Sequence, residues 1–102
     1  MDKVFKALGD PTRRQILQLL RQQEMTAGQI ADCFALAKPT LSGHFKVLRE
    51  AGLVVSEKTG TTITYRLNVS VLEEALLGFA DAFGMGIKAT QRATAAKEKR
   101  HA

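Results

Sequence analysis

Hydrophobic residues recur at intervals of three and four through the first half of the chain, a spacing that is typical of amphipathic helices. A first helix is predicted over residues 2–8 and ends at Gly9. Asp10 and Pro11 then indicate a second helix start, because aspartate accepts hydrogen bonds from the free amides of a first turn and proline suits the first helical position. This second helix is predicted to end near Gln23.

Two further helices of the same pattern are separated by a short connector. Thr26, with Gln29 three residues later, forms a capping box at the start of the third helix. The fourth helix begins at Pro39 and ends at Gly52, a residue type that suits a left-handed cap. Its apolar stripe consists of Leu41, Phe45 and Leu48. Two helices joined by a short turn, the second amphipathic, form a helix-turn-helix pattern.

After the fourth helix the apolar period changes to two, which indicates strands. Segments 53–57 and 61–67 are rich in β-branched residues and are predicted to pair around a hairpin turn at residues 58–60. Ser70 and Glu73 form a second capping box, which opens a last helix. This order of elements predicts a mainly α fold with a small β-hairpin, the winged helix-turn-helix arrangement.

The positive charge is concentrated near one end of the chain. The 102 residues carry a formal net charge of +5, and residues 88–102 contribute +4 of it through five basic residues and one acidic residue. We therefore expect a winged-helix DNA-binding and dimerisation domain over residues 1–87 and a basic C-terminal tail over residues 88–102, either helical or disordered. A basic excess suits an anionic partner, of which nucleic acid is the commonest.

Neither catalysis nor metal binding is expected. Cys33 is the single cysteine, and the two histidines, His44 and His101, are far apart, so the chain offers no nucleophile with its base and no tetrahedral ligand set. We predict no enzyme activity, no metal site and no cofactor, and we interpret Cys33 as a buried structural cysteine. The absence of a long apolar run and of a signal peptide, together with a lone cysteine, predicts a cytoplasmic protein without membrane insertion.

The fourth predicted helix presents small, polar and cationic residues opposite its apolar stripe. Small residues let a helix approach base edges closely, and hydroxyl and ammonium groups can then bond to bases or phosphates. Gly43 supports this interpretation, because a glycine inside a helix costs about 1 kcal/mol relative to alanine. The predicted DNA-binding residues on this helix and at the hairpin tip are Lys38, Pro39, Thr40, Ser42, Gly43, His44, Lys46, Lys58, Thr59 and Thr61.

Three of the basic side chains are open to two roles. His44 lies next to the apolar stripe, so it is either packed or reaches a phosphate. Arg13 and Arg14 flank the start of the second helix and either contact DNA phosphate or pair with acidic residues of the protein.

The first and last predicted helices carry more apolar surface than a small winged-helix core can use. Self-association is therefore predicted, since two-fold dimers are the commonest assembly and a dimer can bind two DNA half-sites. The predicted interface residues are Val4, Phe5, Leu8, Leu72, Leu76, Phe79 and Phe83.

These observations together predict a homodimeric protein that binds two DNA half-sites through its fourth helix and its wing. The competing hypothesis is a winged-helix module whose helix-turn-helix contacts a protein. Sequestration of the DNA-binding protein by a protein partner would combine the two. A protein-binding face should expose large apolar or aromatic residues, and the fourth helix lacks them on its polar side.

Three segments of the chain resemble the ArsR family of bacterial winged-helix repressors. They are residues 10–17 (DPTRRQIL), 25–31 (MTAGQIA) and 37–54 (AKPTLSGHFKVLREAGLV). The resemblance covers about residues 2–84 and is nearest to the SdpR-like autorepressor branch. It implies a homodimer that is built from the first and last helices and binds operator DNA with its recognition helices. With this resemblance, we predict a homodimeric transcriptional repressor that recognises an inverted-repeat operator through its recognition helix and wing.

The sequence differs from the metal-sensing members of that family. Arsenic sensors have a cysteine cluster at the start of the helix before the recognition helix, whereas residues 26–31 contain no cysteine and Cys33 lies beyond them. Zinc sensors place Asp and His ligands along the last helix, which here has Asp81 but no histidine. The resemblance therefore implies DNA binding without a metal site, and a metal- or redox-responsive sensor that uses Cys33 is the third hypothesis.

Overall fold

The computed structural model describes residues 2–86 of the chain, so the predicted basic tail lies outside the described residues. The described part of the chain divides into two units between Leu72 and Glu73. The helices are α1 (Asp2–Leu8), α2 (Pro11–Gln22), α3 (Ala27–Ala31), α4 (Lys38–Glu50) and α5 (Val69–Ala82), and the strands are β1 (Met25–Thr26), β2 (Val54–Thr59) and β3 (Thr62–Leu67).

The predicted caps of α2 and α3 are confirmed. The Asp10 carboxylate accepts from the backbone amide of Arg13 at 3.0 Å. At α3, the Gln29 amide donates to Thr26 Oγ1 at 3.1 Å and the Thr26 amide donates to Gln29 Oε1 at 2.9 Å. Both halves of the capping box are therefore formed, and free amides of the first turn gain partners.

Helix α4 has the predicted stripe and the predicted end. Its buried residues are Leu41, Phe45 and Leu48. The chain leaves the helix through Gly52, whose φ of +75° belongs to the left-handed region that favours glycine. The largest fully buried side chains come from α2, α3, α4 and the segment before β2: Ile16, Ile30, Leu48 and Leu53.

The sheet has three antiparallel strands in the order β1-β3-β2, one more than the predicted hairpin. The additional strand β1 pairs Met25 with Tyr65 and Thr26 with Thr64. Because β1 directly precedes α3, this pairing places the start of the helix-turn-helix beside the β2–β3 hairpin. The turn between β2 and β3 also differs from the predicted turn at residues 58–60, because the pairing of the two strands extends to Thr59 opposite Thr62.

Two details of the sequence interpretation are wrong. Helix α5 begins at Val69, so Ser70 lies inside it, and the amide of Val71 donates instead to the Asn68 side chain at 3.5 Å. Cys33 is exposed rather than buried, because α3 ends at Ala31 and the helical periodicity does not continue to the cysteine.

Candidate nucleic-acid interface

Helix α4 separates a buried side from an exposed side that carries the predicted DNA-binding residues. The cationic, hydroxyl-bearing and small members of this exposed side are Lys38, Pro39, Thr40, Ser42, Gly43 and Lys46. Because α4 buries its apolar stripe in the protein, this side is available to a partner. At the hairpin tip, the predicted residues Lys58, Thr59 and Thr61 are exposed as well.

Gly43 lies in the middle of the exposed side of α4. A Cβ atom built at this position would meet no atom within 4 Å, so packing within the chain does not require a glycine. The backbone of α4 is consequently uncovered at this point.

His44 differs from the other predicted DNA-binding residues because its side chain is only 16% exposed. Its Nδ1 atom lies 3.2 Å from Nη1 of Arg13 and 3.8 Å from Oδ2 of Asp10. The side chain is therefore packed against Arg13 and Asp10, and its contact with DNA stays a prediction. The sequence pattern could not identify its partner, which lies 31 positions away along the chain.

The two arginines at the start of α2 bind the end of α1. Arg13 donates from Nε to the carbonyl of Ala7 at 2.8 Å and from Nη2 to the carbonyl of Lys6 at 2.9 Å. Arg14 donates from Nη1 to the carbonyl of Leu8 at 2.8 Å. The last carbonyls of a helix lack partners within the regular helix, and these arginines donate to three of them, of which the Lys6 carbonyl also accepts from the Gly9 amide at 3.2 Å.

Asp10 is the acidic member of this group, and its pKa is lowered from the ordinary value of 3.8. The main cause is the hydrogen bond from the Arg13 amide, which burial opposes and which electrostatic interactions with the Arg13 and His44 side chains reinforce. The folded state therefore favours the ionised carboxylate.

We expect Asp10→Ala to lower the free energy of unfolding by about 1 kcal/mol at pH 7, because it removes the cap of α2. Since the pKa of Asp10 is lower in the folded chain, the stabilisation by its carboxylate is complete above the unfolded pKa, near 4, and is lost as the pH falls through the folded value. Urea denaturation at pH 7 and at pH 3 should show the difference between wild type and variant shrinking in acid. Asp10→Asn, which keeps the cap without the charge, is the matched control. An equal loss at both pH values would contradict the role of the charge.

The predicted interface residues differ in exposure. Leu76 and Phe79 on α5 are 44% exposed, Phe83 directly after α5 is 69% exposed, and the two phenylalanine rings lie 4.9 Å apart. Phe5, Leu8 and Leu72 are half-buried. Val4 is 6% exposed and adds to the core of the single chain.

Within residues 2–86, no three His, Cys, Asp or Glu side chains are grouped so that they could hold a metal ion. In the same part of the chain, no helix has the length and apolar character needed to cross a membrane.

Comparison with known proteins identifies the family. Residues 10–56 match the model described as "Bacterial regulatory protein, arsR family". The transcriptional repressor SdpR of Bacillus subtilis is 45% identical over 76 residues, which cover 74% of this chain and 84% of that protein. An arsenical resistance operon repressor of Staphylococcus xylosus is 37% identical over 73 residues, 72% of this chain and 70% of the relative.

Solved structures agree with this assignment. An ArsR family transcriptional regulator superimposes with a TM-score of 0.76 at 26% identity, covering 82% of this chain and 92% of its own. The transcriptional repressor BigR from Xylella fastidiosa gives a TM-score of 0.64 at 27% identity, covering 80% of this chain and 84% of its own. The winged-helix fold, the matched segment and these relatives lead to one conclusion: the chain belongs to the ArsR family of bacterial regulatory proteins, which are DNA-binding transcription regulators and not enzymes.

Proposed function

We propose that this protein is a homodimeric transcriptional repressor that binds an inverted-repeat operator through α4 and the β2–β3 wing. The observation that carries the proposal is the exposed side of α4, which combines cations, hydroxyls and an uncovered glycine opposite a buried stripe. Relatives that are named repressors support the direction of regulation.

The small residues of α4 support entry of this helix into the major groove. The groove admits an α-helix, and base edges are read by side chains that come within hydrogen-bonding distance. Gly43 weakens the helix by about 1 kcal/mol relative to alanine. Packing within the chain does not require a glycine at this position. Close approach of DNA to the backbone of α4 explains why a glycine stands there.

The exposed apolar residues of α5, together with Phe83 directly after it, support assembly with a second copy. Three phenylalanine or leucine side chains that are 44% to 69% exposed would be covered by a partner of the same kind. A two-fold dimer presents two recognition helices to two half-sites about one helical turn apart, and the operator then has matching symmetry. The proposed interface consists of Phe5, Leu8, Leu72, Leu76, Phe79 and Phe83.

The alternative of a protein-binding helix-turn-helix receives less support. Over Lys38–Glu50, the exposed positions carry no aromatic and no large aliphatic residue. Protein-binding faces are enriched in aromatic residues and methionine at their centre and depleted in lysine.

Selection from random duplex DNA, followed by footprinting on the enriched sequences, tests the proposal directly. We expect an enriched inverted repeat that is protected at both half-sites and loses protection when one half-site is scrambled. The same protein should protect DNA upstream of its own gene if it is an autorepressor. Enrichment of no sequence, with binding that depends only on salt, would contradict the proposal.

We expect Ser42→Ala to reduce discrimination between this operator and a scrambled duplex by about 1–3 kcal/mol, because a lost base contact costs that much. Affinity for the scrambled duplex should change little, since phosphate contacts remain. Titrations at several salt concentrations measure both affinities. Ser70→Ala is the matched control, because it removes the same hydroxyl from an exposed position on α5. An unchanged specificity ratio in the Ser42 variant would contradict the placement of this side chain in the groove.

A further inference from the structure

We infer that Arg13 and His44 form a link that sets the position of α4 for base recognition, and that His44 is a positioning residue rather than a DNA contact. The inference rests on the proposed function and adds to it a role for two residues outside the exposed side of α4. It follows from the way one guanidinium group joins three helices.

The Arg13 side chain makes three polar contacts in two directions. Its Nε and Nη2 atoms bind the last carbonyls of α1, at 2.8 and 2.9 Å. Its Nη1 atom lies 3.2 Å from Nδ1 of His44 on α4. Since Arg13 itself belongs to the first turn of α2, the side chain connects the end of α1, the start of α2 and the middle of α4.

The chemistry of the two groups fixes the state of the histidine. A guanidinium group offers only donors and keeps its charge, so the Nδ1 atom can bind it only through a lone pair. The ring hydrogen of a neutral His44 then lies on Nε2. The Asp10 carboxylate lies 3.8 Å from the same Nδ1 atom, beyond hydrogen-bonding distance, so Arg13 is the hydrogen-bonding partner of this nitrogen.

Contacts between α4 and base edges form only when α4 is held in a defined position on the DNA. Hydrogen bonds to base edges require donor–acceptor distances of about 2.7–3.2 Å, whereas a cation near a phosphate tolerates larger shifts. A change in the position of α4 should therefore reduce operator affinity more than affinity for random DNA. His44 lies next to Gly43, so the link acts at the part of α4 that we place closest to the bases.

The test compares His44→Asn with His44→Gln. Asparagine places its Oδ1 atom near the position of Nδ1 and can still accept from Arg13, whereas the longer glutamine places its amide near the position of Nε2. We expect His44→Asn to keep operator affinity within about threefold, and His44→Gln to lose about tenfold or more, the value of a hydrogen bond to a charged group. Affinity for random DNA should change by less than about threefold in both.

The two variants also separate this role from a simple loss of stability. Glutamine is a better helix former than asparagine, so an effect that reflected only helix stability would rank the two variants in the opposite order. Thermal unfolding of both variants confirms that the compared proteins are folded. Arg13→Lys keeps the charge but loses the planar group that reaches both α1 and His44, and it should lose operator affinity as His44→Gln does.

Four results would overturn the inference. Retained affinity in His44→Gln with loss in His44→Asn would make His44 a DNA contact through Nε2. Equal retention of operator affinity in both variants would show that the contact between Arg13 and His44 does not affect recognition. Equal loss of operator affinity would exclude the role of His44 Nδ1 as an acceptor. Nitrogen-15 NMR of the wild type, which needs no variant, should show the Nε2–H tautomer of His44, and an Nδ1–H tautomer would also overturn it. A wild type that binds no sequence selectively would instead contradict the proposed function.

Discussion

Phe83→Glu is expected to convert the proposed dimer into a monomer and to reduce operator affinity on the order of a hundredfold or more. The side chain is 69% exposed in the single chain, so the substitution leaves the protomer fold intact while it places a charge directly after α5, beside Phe79. Two linked half-sites gain about 10² or more in affinity over one because the second binding event is intramolecular. A monomer loses that gain.

Sedimentation equilibrium and operator titration, on the same samples, measure the two effects of Phe83→Glu together. Gln18→Glu, which introduces the same charge at an exposed position on α2, should remain a dimer and retain operator affinity. If Phe83→Glu sediments as a dimer, the assignment of α5 to the interface is wrong. If it is a monomer with full operator affinity, the requirement for two half-sites is wrong.

Leu48→Ala is expected to lower the free energy of unfolding by about 2–5 kcal/mol. Leu48 is completely buried on the inner side of α4, so the shorter side chain leaves a cavity in addition to the lost burial of apolar surface. Urea denaturation measures the loss, which should appear as a lower midpoint with an unchanged slope.

The control for Leu48→Ala is the same substitution at Leu36, which is 41% exposed and should lose much less stability. A loss below about 1 kcal/mol at Leu48 would show that the core around α4 closes over the missing atoms.

The main helices could be predicted from the sequence because their determinants are local. Asp10, Thr26 with Gln29, and Gly52 each act within one or two turns of their own position, and the structure confirms all of them. The stripe of α4 was predictable for the same reason, since its three residues recur at helical spacing. Local chemistry alone therefore identifies the helix-turn-helix.

The errors arise where partners far apart in the chain decide the outcome. The strand β1 has two residues, too few for an alternating pattern, and it exists only because β3 pairs with it. Cys33 follows a helix of only five residues and is exposed, so its interpretation as a buried structural cysteine is wrong. The contact between Arg13 and His44 depends on how α2 packs against α4, which no local pattern encodes.

The place of β3 in the sheet has a consequence for how the wing moves. Thr64 and Tyr65 are paired with strands on both sides, whereas Thr62 and Ile63 are paired with β2 alone. Amide protons near the tip of the wing can therefore exchange with solvent through local openings that break few bonds, while those at its base exchange only when more of the fold opens. The base of the wing is therefore held by more backbone hydrogen bonds than its tip. Docking of the tip against a partner would restrict the freedom of only a few residues and leave the base, with the adjoining start of α3, undisturbed.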